Sequence, residues 1–176
     1  MPHSESWNTN YCFRLQTGPG AAMDSLTSNS LKFAHLTDVH LPIPGRPALR
    51  DLLNKRLLGY LSWRRKRRRW HKAEISEVLI GDIKRQGCAA ALLSGDLVNL
   101  ALESEFVAAE AFLARAFDGL PLHLCPGNHD AYVSLPWAVG LGRLGRYMTG
   151  LRQGEAAPRA PRDAGDFPYA LDIGPA

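Results

Sequence analysis

The sequence predicts an α/β fold built on a parallel β-α-β-α-β core. Three observations carry that reading. Short apolar runs at residues 31–36, 89–93 and 120–124 have the length of strands. Stretches with helical apolar spacing, at about 71–86 and 103–117, separate them. Each strand runs directly into residues that can bind metal or phosphate, and in an open α/β sheet the C-terminal strand ends are where ligands bind. The order implies a parallel sheet with right-handed crossovers.

Taken in order, residues 1–30 are rich in Ser, Asn, Thr and Gly without apolar periodicity and read as a disordered segment. The first strand, 31–37, leads into Leu41-Pro42-Ile43-Pro44-Gly45-Arg46-Pro47, whose prolines and glycine forbid helix. Leu49, Leu52, Leu53, Leu57, Tyr60 and Leu61 then recur at helical spacing, followed by Trp63, the run Arg64-Arg65-Lys66-Arg67-Arg68-Arg69, and Trp70. Residues 48–70 are long for a strand-to-helix connection, so they are read as a basic amphipathic insertion over the site.

The next helix has an expected buried stripe of Ala73, Ile75, Val78, Leu79 and Ile83 and ends at Gly87. Strand 89–93 is apolar throughout, as a parallel strand covered on both faces should be. The helix at 103–117 buries Phe106, Ala109, Phe112, Leu113 and Ala116. Beyond the third strand, 137–148 reads as a short helix interrupted by glycines, 150–166 as a loop, and 168–173 as a strand.

The chemistry lies at the strand ends. The first delivers Asp38-Val39-His40, the second Gly95-Asp96-Leu97-Val98-Asn99, and the third Gly127-Asn128-His129-Asp130. Carboxylate, amide oxygen and imidazole together suit Mn, Fe or Zn better than Ca. His35 and His123, within strands, read as packed or hydrogen-bonded residues, and His71, beside the basic run, as solvated. Asn99 reads either as a cap for the helix near Glu103 or as a brace for the Asp96 turn.

The ordered set D-x-H, G-D-x-x-N, G-N-H-D resembles the calcineurin-like metallophosphoesterases, most closely their cyclic-nucleotide phosphodiesterase-like members. The resemblance implies that 31–176 is the first half of a four-layer α/β/β/α sandwich that hydrolyses a phosphoester with two divalent metal ions. It implies Asp38 and His40 on the first metal, Asn128 on the second, and Asp96 bridging both. It makes His129 the residue that meets the phosphate and the leaving oxygen, and Asp130 the residue that orients His129. The family pattern continues with a histidine and a Gly-His-x-His motif that supply three more ligands, whereas no histidine follows His129 here. The expectation is therefore a C-terminally truncated domain. The alternative is a non-catalytic interaction module, or an inactive fragment of that fold. Lipid-linked pyrophosphate hydrolases and DNA-processing nucleases are further options for the substrate.

The composition, 45% hydrophobic and 22% charged over 176 residues, suits one globular domain. No run reaches the roughly 18 apolar residues of a membrane span, and no secretory h-region opens the chain, which points to a cytoplasmic protein. An odd number of cysteines, three, without zinc-type spacing points to reduced thiols. The net charge of +4 is local: outside 64–69, 15 Lys and Arg face 17 Asp and Glu, a net of −2. The run 64–69 reads as a solvated face, as a contact for an anionic membrane surface that makes the protein peripheral to it, or as a nucleic-acid contact, in which case lipid ranks above nucleic acid.

Overall fold

The computed structural model describes residues 32–171; the expected disordered segment 1–30 and the end of the expected last strand, 172–173, lie outside the described residues. The element order is β1 (Phe33–Thr37), α1 (Arg56–Ser62), α2 (Ala73–Arg85), β2 (Ala90–Ser94), α3 (Glu103–Ala116) and β3 (Leu122–Cys125). The strands form a parallel sheet in the order β1-β2-β3. Three parallel strands with interleaved helices are the partial α/β core that the sequence predicts.

The register fixes what each face carries. Leu36, Leu93 and Leu124 form one cross-strand row, buried in the same cluster as Ile80 and Ile83 of α2 and Phe106, Ala109, Phe112 and Leu113 of α3. Because side chains alternate along a strand, the neighbouring row, His35, Leu92 and His123, lies on the other face, where His35 is exposed and the other two are half-buried. His35 Nε2 bonds Ser94 Oγ at 2.6 Å, and burial lowers the His123 imidazole below its ordinary range. One face is thus packed under helices and the other is only partly covered.

Two apolar stripes differ in phase from the sequence reading. In α2, Ile80 and Ile83 are buried, whereas Ile75, Val78 and Leu79 are exposed. The helix buries Ile80 and Ile83 in its second half, and Ala73 alone of the expected first-half residues packs on the core cluster. Its first turns flank β1, the outer strand, where Ile75 and Leu79 line a cleft of about 410 Å³ with Asp38, Val39 and His71.

In the insertion the sequence sets an apolar face at helical spacing and leaves open what covers it; most of that face points outward. A 3-10 turn at Leu49–Leu52, α1 and a π-helical turn at Trp63–Arg67 bury Leu52, Arg56 and Trp63 and expose Leu49, Leu53, Leu57, Leu58 and Leu61. The inward face is set by contacts that a hydropathy pattern does not contain. Buried Arg56 donates from Nε to Leu100 O at 2.9 Å and from Nη2 to Ala101 O. A Cβ at Gly59 would come within 2.7 Å of Leu100 Cδ2, so glycine permits the close approach there.

The segment 137–148 forms two 3-10 pieces, Trp137–Val139 and Leu141–Met148, and Ala170 pairs with Leu151 in an isolated bridge. Cys88 is a free thiol and Cys125 is buried at the end of β3; Cys12 lies outside the described residues. No helix among the described residues is long and apolar enough to cross a membrane.

Candidate metal centre

The loop after β1 is zipped onto the loop after β2. Asp38 N–H donates to Gly95 O, His40 N–H to Asp96 O and Leu41 N–H to Leu97 O. This path turns sharply, and Asp38, His40 and Asp96 adopt the left-handed region, with φ of 54°, 42° and 54°. Such a conformation costs an ordinary L-residue about 1–2 kcal/mol. It persists where surrounding bonds over-determine it, typically at functional sites. At exposed Asp38, Asp38→Ala is expected to be about 1 kcal/mol less stable than Asp38→Gly, because only glycine relaxes at that φ. Equal urea midpoints for the two variants would show that no strain is stored there.

The turn after β3 closes against the same loop. A Cβ at Gly127 would lie 2.7 Å from Gly95 Cα and nearer still to Asp96. Gly127→Ala is therefore expected to cost about 1–3 kcal/mol by overpacking and to displace Asp96, as read by urea denaturation and metal titration together.

These turns bring His40, Asp96 and His129 together, with one donor atom from each within 4.8 Å of the others. His40 Nδ1 bonds Val98 O at 3.3 Å, and His129 Nδ1 bonds Asn99 O at 2.7 Å. A carbonyl only accepts, so each Nδ1 carries a proton, and in the neutral imidazole Nε2 keeps its lone pair, the tautomer that metal-ligating histidines use. Burial first, and the neighbouring His129 second, hold the His40 imidazole below its ordinary range, against the opposite pull of Asp96, the Val98 carbonyl and Asp38. Neutral imidazole is the form that binds metal. His40 Nε2 lies 3.8 Å from Asp38 Oδ1 and 4.0 Å from Asp96 Oδ2. Those separations are too long for hydrogen bonds. The donor atoms therefore converge without a hydrogen bond from His40 to either carboxylate, and a divalent cation suits such a set.

Asp96 is mostly buried, and its Oδ1 accepts the His129 N–H at 2.8 Å. Asp38 stands at the rim with its side chain 61% exposed, and Thr37 Oγ1 donates to its Oδ2 at 2.6 Å. Asn128 is exposed on the turn between Gly127 and His129.

Asp130 does not orient His129. Its Oδ1 accepts the N–H groups of Leu97 and Val98, both at 2.9 Å, and its Oδ2 accepts Gly127 N–H at 2.8 Å. It fastens the second motif to the third, and the Asn99 carbonyl takes the orienting role. The reason is steric: Asp130 is turned into the core, 3% exposed, where backbone donors surround it. Burial pushes its carboxyl up to about 6, although those three donors favour the charged form.

Four residues support the centre in ways the sequence reading does not give: Glu105 and Tyr132, which it passes over, and Asn99 and His71, which it places elsewhere. Glu105, buried, accepts the N–H groups of Asn99, Leu100 and Leu102 and so holds the rest of the loop. A glutamate at the third position of a helix is a legible capping signal. Asn99 neither caps α3 nor touches Asp96 by hydrogen bond; its Nδ2 donates to Leu41 O at 2.7 Å and ties the first motif to the second. His71, expected to be solvated, stacks on His40 with ring centroids 4.9 Å apart and planes 5° from parallel. Burial first, and His40 next, lower its imidazole below the ordinary range. His71, directly after the insertion, thus touches the centre, and the insertion itself is tied to it through Lys55 O, which accepts from Tyr132, the residue that stacks on His129.

A sequence model of the calcineurin-like phosphoesterases matches residues 31–171, a span that includes all of these residues. No curated protein matches the chain.

Proposed function

The chain belongs to the calcineurin-like phosphoesterase family, and from that premise we propose that it hydrolyses a phosphoester at a dinuclear divalent-metal centre. The observation that carries this reading is the convergence of the His40, Asp96 and His129 donors with both imidazole tautomers fixed by backbone carbonyls. Asp38 and His40 would hold one ion, Asn128 the other, and Asp96 would bridge them. The ions, when bound, would supply an activated water and neutralise the phosphoryl oxygens.

The remaining work is done by the chain itself. Asp96 has one oxygen tied to the His129 amide, so its carboxylate plane is set before any ligand arrives. His129 is held through Nδ1 by Asn99 O and presents Nε2 to the centre. From there, in its protonated form, it can give a proton to the leaving oxygen. Stacking by Tyr132 limits rotation of that ring. Asp130 and Glu105 act by positioning, since they hold the loop whose carbonyls select the two tautomers.

A second reading, a binding module of the same fold without turnover, draws on the exposure of Asp38 and Asn128, which leaves part of the donor set in solvent. Assays with aryl phosphate mono- and diesters separate the two. The proposal expects hydrolysis that requires added Mn²⁺, disappears with chelator and returns on re-addition. Turnover unaffected by chelator, or none with Mn²⁺, Fe²⁺ or Zn²⁺, would overturn it. The ratio of diester to monoester rates assigns the substrate class.

A further inference from the structure

We propose that the outward face of the insertion docks the protein on an anionic membrane surface. The inward face of residues 49–67 is satisfied by Leu52, Arg56, Gly59 and Trp63, which leaves the leucines pointing away from the domain. Leu49 and Leu53 are each 84% exposed, Leu58 is 73% and Trp70 77%. Single exposed apolar residues are ordinary, but a group of them on one short insertion marks an interaction surface. All of Arg64-Arg65-Lys66-Arg67-Arg68-Arg69 is exposed alongside them, and this run holds the chain's whole excess of positive charge.

The combination selects the partner. A solvated charged face accounts for the arginines and leaves the leucines in water without a reason. A nucleic-acid backbone likewise uses the cations and has no place for the leucines. An anionic bilayer takes both: headgroups meet the cations, while leucine and tryptophan enter the headgroup–acyl boundary. Trp70, at the end of the run, is a residue type suited to that boundary. A second copy of the chain would cover the leucines but would bring two +6 runs together.

The face is also firmly attached to the rest of the domain. Arg56 is hydrogen-bonded to Leu100 O and Ala101 O, and Trp63 packs in a cluster with Ile43, Leu100 and Leu102. A bilayer bound to this face would therefore hold the whole domain in a fixed orientation, with the insertion as its footing.

Co-sedimentation of the 176-residue protein with phosphatidylglycerol–phosphatidylcholine vesicles and with pure phosphatidylcholine vesicles tests this. The proposal expects more than tenfold stronger partitioning onto the anionic vesicles, since each cation near such a surface contributes roughly fivefold, and weakening in 0.5 M salt. Leu53→Ser with Leu58→Ser should reduce binding at least tenfold at unchanged charge. Arg65→Glu with Arg68→Glu should remove the preference for anionic lipid. All four side chains are exposed, and circular dichroism confirms that each variant is folded. Equal binding to both vesicles, or none, overturns the proposal. So does binding of duplex DNA as tight as that of vesicles and indifferent to the leucine changes. Light scattering that shows a dimer lost in the leucine variants, without vesicle binding, assigns the face to a second copy instead.

Discussion

Asp130→Ala is expected to destabilise the protein by about 3–6 kcal/mol, the largest stability effect of any single change near the centre. The carboxylate is the partner of three backbone N–H groups, those of Leu97, Val98 and Gly127, and it is 3% exposed. Alanine leaves all three donors buried and unpaired, at about 1–3 kcal/mol each. The relief from no longer burying a carboxyl offsets part of that sum. Asp130→Asn should cost less, since one oxygen still serves Leu97 and Val98 while its NH₂ faces Gly127 N–H without an acceptor.

The same carboxyl gives a pH signature. Burial raises it in the folded state from 3.8 to about 6. Between those values the folded protein retains a proton that the unfolded chain has released, so unfolding free energy from this group falls as pH rises from about 4 to 6. The full shift corresponds to at most about 3 kcal/mol. Urea unfolding of wild type and Asp130→Asn across that window should converge as pH rises. Parallel curves would mean that Asp130 keeps its ordinary acidity when buried.

Asp96→Asn is expected to lower metal-dependent turnover by about 1,000-fold or more while leaving stability nearly unchanged. The asparagine amide can still accept the His129 N–H, so the turn keeps its bond. What disappears is the negative charge at the point where His40 and His129 converge. The two divalent ions proposed for the centre would bring four positive charges, and Asp38, exposed at the rim, is the only carboxylate left that is proposed to answer them. Loss of partners behind metal ligands already costs about 10–100-fold, and loss of a bridging ligand should exceed that. A drop in turnover that tracks a drop in melting temperature would instead assign Asp96 a structural role.

The parallel core was legible because its signals are local. Leu36, Leu93 and Leu124 lie in short apolar runs, and Phe106, Ala109, Phe112 and Leu113 repeat at helical period on a helix that faces the core squarely. The three motifs at the strand ends were legible as residue types, and the sheet brings their His40, Asp96 and His129 to one place. What the sequence hid depends on partners far along the chain. Arg56 points inward because the Leu100 and Ala101 carbonyls await it, so the leucines of the same helix point outward, against their hydropathy. Ile75, Val78 and Leu79 repeat at the right period, yet α2 packs through Ile80 and Ile83. His71 carries no local signal at all; only folding the insertion back stacks it on His40. Asp130 was misread because the resemblance assigned it to His129, whereas its carboxylate turns into the core to three backbone N–H groups from distant parts of the loop and its own turn.

The account rests on His40 and Asp96 holding a metal ion at the point where His129 meets them. Calorimetric titration of Mn²⁺ into the metal-free protein at pH 7.5 tests that most directly. It should show saturable uptake with little proton release, because the Nε2 of His40 is already unprotonated there. Asp96→Asn and His40→Ala should each weaken the uptake at least about tenfold. Uptake that is absent from the wild type, or that survives both substitutions unchanged, would contradict the assignment.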